Sequence, residues 1–151
     1  MLMEKVNFPK DFREFINLLN VHDVEFTIVG GYAVAYHGHP RFTGDLDILI
    51  LPQSRNIQNL FHALSDFGFA STGFTLEDFL NPNMVMQIGR SPLRIDLITS
   101  IDGVSTEQVF QNRLTAKDDD VIYYFINYED LIKNKRAAGR PKDIADLEYM
   151  K

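Results

Sequence analysis

The 151-residue chain carries a net charge of −6, 45% hydrophobic and 24% charged residues, and no cysteine. That composition supplies a core for one compact domain and argues against long disorder, while the missing cysteines exclude a disulfide framework and a thiolate metal site. The acidic balance gives no broad electrostatic support for binding a nucleic-acid backbone, so any such contact must be local.

The first ten residues, with Glu4, Lys5 and Lys10, lack the apolar core of a signal peptide, and no stretch approaches the roughly 20 apolar residues of a membrane span. The expectation is a cytoplasmic protein with no membrane partner, read as one unit over residues 1–151. It divides into an N-terminal helix (9–21), a core (24–126) and C-terminal helices (128–150).

Phe12, Phe15, Ile16, Leu18 and Leu19 fall at helical spacing between Asp11 and Asn20. Val24 to Val29 is β-branched and aromatic and runs into Gly30-Gly31, which predicts a strand, a tight turn and a short helix through Tyr32 to Tyr36. Asp45 to Leu51 has strand character and stops at Pro52; Ser54 is placed to cap a helix through Ile57, Leu60, Phe61 and Leu64, ending near Gly68. Ser71 to Asn83 reads as a loop with one or two helical turns.

Met84 to Ile88 and Leu93 to Thr99 predict a hairpin joined by the four residues Gly89 to Pro92. Thr106 to Arg113 is expected to be helical and Val121 to Ile126 a strand with Tyr123, Tyr124 and Phe125 in the core. Tyr128 to Ala138 forms a helix ended by Gly139, and Pro141 to Met150 the last helix. The run Asp118-Asp119-Asp120 reads as a solvated turn, and His37 and His39 as surface residues. The class is α/β or α+β, with a mixed sheet.

Strand geometry puts Asp45 and Asp47 on one face with Cα atoms about 6.5 Å apart, while Leu46 and Ile48 point to the other. Like charges forced together beside Ile48 to Leu51 raise at least one pKa unless a cation lies between them. Asp96 sits in a similar apolar run, Leu93 to Ile98; it either joins that site or pairs with Arg94 or Arg41. Oxygen-only donors suit Mg²⁺ or Mn²⁺, and a pair of such ions activates a hydroxyl and stabilises a leaving pyrophosphate. Gly30-Gly31 lets backbone N–H groups approach a phosphate. Thirteen residues, Tyr32 to Gly44, then leave room for a helix and a return to the adjacent strand.

Val29-Gly30-Gly31, Asp45-Leu46-Asp47 and Ile95-Asp96-Leu97 together resemble the nucleotidyltransferase superfamily, with its DNA polymerase β-like fold. Gly30-Gly31 followed by Arg41 to Asp47, and the tail Lys135 to Asp143, look like the bacterial branch near AbiEii-type toxins and minimal nucleotidyltransferases. The resemblance implies a mixed central sheet flanked by helices, with a short C-terminal helical pair. It implies catalysis and metal binding by Asp45, Asp47 and Asp96, and nucleotide binding by Gly30, Gly31, Arg41, Thr43, Lys135, Arg140 and Lys142. Arg41 and Thr43 have the alternative of merely shaping the loop, and the basic cluster that of a solvated helix corner.

The expected activity is transfer of a nucleoside monophosphate from an NTP to a hydroxyl on protein, RNA (a tRNA end included) or a small molecule. A cognate toxin or antitoxin partner goes with the AbiEii-like branch. The rival is a binding module on the same fold, antitoxin-like or regulatory, that holds nucleotide or a partner protein without turnover.

Overall fold

The computed structural model describes residues 7–39, 43–69, 73–90 and 93–150. Along the chain run α1 (Lys10–Val21), β1 (Phe26–Val29), α2 (Gly30–Tyr36), β2 (Asp45–Ile50), α3 (Ser54–Asp66), α4 (Leu76–Leu80), β3 (Val85–Arg90) and β4 (Leu93–Ile98). There follow α5 (Thr106–Asn112), β5 (Leu114–Asp118), β6 (Val121–Phe125), α6 (Tyr128–Ala138) and α7 (Pro141–Tyr149). The strands form one six-stranded sheet in the order β3-β4-β2-β1-β6-β5. The β1/β6 and β2/β4 pairs are parallel; β1/β2, β3/β4 and β5/β6 are antiparallel.

This is the mixed α/β architecture expected, and apolar burial explains it. α1 turns Phe12, Phe15, Ile16 and Leu19 inward, where α3 meets it with Ile57, Leu60, Ala63 and Leu64. β1 is buried on both faces, and Ile28, Leu46, Ile48, Tyr123 and Phe125 complete the centre of the core. No described helix is long and apolar enough to cross a membrane.

Several boundaries differ from the sequence expectation. β1 begins at Phe26 because the Glu25 backbone N–H donates to the buried Asn56 side chain at 2.6 Å; the Glu25 carbonyl accepts from Asn56 at 3.0 Å and from the Leu51 N–H at 3.3 Å, and Asn56 also donates to the Leu51 carbonyl at 2.9 Å. α3 starts at Ser54, with Gln53 in the capping position and no side-chain cap. In the β3/β4 hairpin, pairing continues through Gly89↔Arg94 and Arg90↔Leu93, which leaves a two-residue connection at 91–92, outside the described residues. β5 is additional: it pairs with β6, and Asp119 and Asp120 turn between them, with Asp118 accepting from Arg13 at 2.7 Å.

His37 and His39 are half-buried, not surface residues. His37 Nε2 donates to the Ile126 carbonyl at 2.8 Å, and the His39 ring stacks on Tyr149 at 4.1 Å. Burial pushes the His37 pKa down, an effect the Ile126 carbonyl partly opposes.

Candidate functional site

The end of the sheet where β1 leaves and β2 enters gathers the acidic residues. Parallel pairing sets Asp47 directly across from Asp96 and Asp45 across from Arg94, while antiparallel pairing sets Val29 beside Asp47. Residues in register on neighbouring strands share a face, so the three carboxylates come to one side of the sheet. They line a polar cleft of about 220 Å³ with Gly31, Thr43, Gly44, Arg94, Arg140 and Lys142.

The turn from β1 into α2 is shaped to this cleft. Gly30 has φ +69°, and a Cβ built there would overlap the Asp47 carboxylate. Glycine is thus required twice, for its left-handed backbone and for the approach of Asp47. Gly31 lines the cleft itself, as does Thr43, whose carbonyl accepts from the Tyr32 hydroxyl at 3.2 Å.

Arg94 is the feature the sequence undervalued. Its guanidinium donates to Asp45 Oδ2 at 2.9 Å and forms a two-pronged contact with Asp96, at 2.8 Å to Oδ1 and 3.0 Å to Oδ2. The Asp96–Arg94 pairing was one of the sequence alternatives; the reach to Asp45 depends on register and is invisible in the sequence. Among the described residues, no guanidinium is hydrogen-bonded to Asp47. Burial first and the neighbouring Asp96 second push its pKa up to about 6, against the partial opposition of Lys142 and Arg140.

The carboxylates suit a hard divalent cation by chemistry, since they offer only oxygen and Asp47 is left poorly compensated. As they stand, no three Asp, Glu, His or Cys side chains among the described residues converge closely enough to hold one. The geometry shows why: Arg94 draws Asp45 and Asp96 to itself.

Of the basic tail, Arg140 and Lys142 line the cleft and Lys135 does not. Neither the direct nucleotide contact that the resemblance implies for Lys135 nor a solvated corner describes it: its ammonium is buried between Asp143 and Asp146, 3.1 and 2.9 Å away, because α7 folds back over that face of α6. Arg41 lies outside the described residues.

The family model for nucleotidyltransferases of unknown function (DUF6036) matches residues 7–151. No curated protein matches the chain. Among solved structures, it is similar to the crystal structure, at 1.87 Å, of a putative nucleotidyltransferase from Thermotoga maritima. That likeness has a TM-score of 0.62 and 12% identity over 91% of this chain and 88% of that one, and at such identity it speaks for the fold alone. With the family model spanning almost every residue, the protein belongs to the nucleotidyltransferase family of unknown function (DUF6036).

Proposed function

We propose that this chain transfers a nucleoside monophosphate from an NTP to a hydroxyl acceptor and releases pyrophosphate. The observation that carries this reading is the β2/β4 register, which sets Asp47 against Asp96 in a cleft shared with Asp45 and three cations, Arg94, Arg140 and Lys142. Asp45, Asp47 and Asp96 would hold Mg²⁺ or Mn²⁺, which supplies charge neutralisation at the phosphoryl oxygens and lowers the pKa of an attacking hydroxyl.

The chain's own groups do the rest. Arg140 and Lys142 attract the triphosphate locally, against the net charge of −6. Gly31 and Thr43 form the wall against which the phosphates lie. Arg94 neutralises Asp45 and Asp96 in the metal-free cleft, and the Asp96 carboxylate would take the proton of the acceptor hydroxyl. Such catalysis rests on positioning and charge, and needs no nucleophilic Ser or Cys.

One observation favours a second reading. Because Arg94 already neutralises Asp45 and Asp96, the cleft also suits a module that holds nucleotide without turning it over. The test is incubation with each α-³²P-labelled NTP, Mg²⁺ or Mn²⁺, and a cell lysate with its tRNA. Label on one acceptor class, lost with EDTA and with Asp47→Asn, supports transfer; nucleotide bound but unchanged supports the module. Because Gly30-Gly31 followed by Arg41 to Asp47 resembles the bacterial branch near AbiEii-type toxins and minimal nucleotidyltransferases, tRNA ends join proteins and small molecules in the acceptor screen, and a cognate toxin or antitoxin is the partner to seek.

A further inference from the structure

Lys135 stands one turn before the end of α6, and its side chain is 3% exposed. An ammonium so deeply buried requires partners, and α7 supplies two: Asp143 Oδ1 at 3.1 Å and Asp146 Oδ2 at 2.9 Å. Asp143 is in turn turned toward Arg140. Its Oδ2 accepts from the Arg140 backbone N–H at 3.1 Å and from Nε at 2.7 Å, and its Oδ1 from a terminal guanidinium nitrogen at 3.2 Å.

One continuous set of contacts therefore runs from a buried cation to a cation of the cleft. Two positive and two negative groups balance within it, which is the condition for keeping charges out of water. Burial alone would raise the Asp143 pKa, but the hydrogen bonds from Arg140 and Lys135 outweigh it and hold the carboxyl below its ordinary value. The same carboxylate closes the first turn of α7, so the direction of Arg140 and the start of the helix are fixed together.

Arg140 itself is 59% exposed, and a long side chain in water occupies many rotamers unless something holds it. Without Lys135, Asp143 and Asp146 would face each other as buried like charges, and the turn carrying Arg140 would have to move or open.

We propose that Lys135 is a positioning residue: through Asp143 it holds the Arg140 guanidinium at the cleft for a nucleoside triphosphate, without touching the nucleotide. This rests on the reading of the cleft as an NTP site. The role differs from direct phosphate contact in one measurable way, because Lys135 acts only through Arg140.

The test is a double-mutant cycle on the full chain. Fluorescent α,β-methylene analogues of the four NTPs are titrated with Mn²⁺ into wild type, Lys135→Met, Arg140→Ala and the double variant. Lys135→Met should weaken binding on the order of tenfold, the scale of one charge-assisted contact. The double variant should bind no more weakly than Arg140→Ala alone. Losses that multiply, or wild-type affinity in Lys135→Met, overturn the proposal.

Failure of the underlying reading looks different, since wild type would then bind none of the four analogues. The positioning is read independently from the Arg140 Nε–H resonance, which should lose its hydrogen-bonded shift and exchange protection in Lys135→Met; an unchanged resonance overturns the proposal whatever the nucleotide does. Should Lys135→Met fail to fold, the pair Lys135→Gln with Asp146→Asn removes one charge of each sign and is judged by the same two criteria.

Discussion

At the scale of single residues, Asp47 carries most of the tension in the cleft. Its pKa of about 6 lies above the ordinary 3.8, so the fold prefers it protonated and loses stability as pH rises from about 4 to 6. Asp47→Asn removes that penalty. Urea unfolding of the metal-free variant should show a gain of about 2 kcal/mol at pH 7.5 and none near pH 3.5. Metal-dependent turnover should vanish in the same variant. If Asp47→Asn instead unfolds the protein, the carboxylate is structural. Arg94 tests the other half of the site: Arg94→Met frees Asp45 and Asp96, so metal-free protein should melt lower while Mn²⁺, followed by electron paramagnetic resonance, binds more tightly than to wild type. Weaker Mn²⁺ binding would show that Arg94 supports the donor set and does not compete for it.

At the scale of elements, long periodic segments were legible and edges were not. α6 runs over Tyr128–Ala138 as expected, with Gly139 marking its end in the sequence, and the structure adds Asn127 as its cap, accepting from the Asp130 N–H at 2.8 Å. β5 left no such mark: in Leu114–Asp118 only Ala116 is buried, so an edge strand shows no apolar alternation. Gly89 suggested a turn, yet its φ of +84° sits inside the paired β3, where the hairpin tightens. The start of β1 was hidden because it depends on Asn56, thirty-one residues away from Glu25. Asn56→Ala strips the Glu25 N–H of its partner and removes one of two donors from each of the Glu25 and Leu51 carbonyls, and should cost about 1–2 kcal/mol by urea unfolding. A loss under about 0.5 kcal/mol would mean that those groups find water.

At the scale of the whole molecule, the site is a consequence of strand order. The carboxylate motif could be read along the chain, but that Asp47 meets Asp96 follows from β4 joining β2 in parallel, a pairing set by the path of α3, α4 and β3 between them. The glycine turn was equally visible, whereas its fit to Asp47 is a property of packing. The tail misled in part because Lys135, Arg140 and Lys142 look alike in sequence, and only the fold of α7 onto α6 separates the buried lysine from the two cleft cations.

Those two cations work against the net charge of −6, so their effect should depend on salt. Arg140→Ala should weaken NTP affinity at least about tenfold at about 0.02 M salt and much less near 1 M, where the Debye length is about 3 Å. An effect independent of salt would point to a contact other than charge. The central claim, that Asp45, Asp47 and Asp96 hold a divalent cation together with an NTP, is tested most directly by Mn²⁺ electron paramagnetic resonance with a non-hydrolysable NTP analogue. Wild type should bind Mn²⁺ more tightly when the analogue is present, and Asp47→Asn should lose that enhancement; equal Mn²⁺ binding by the two proteins would contradict the account.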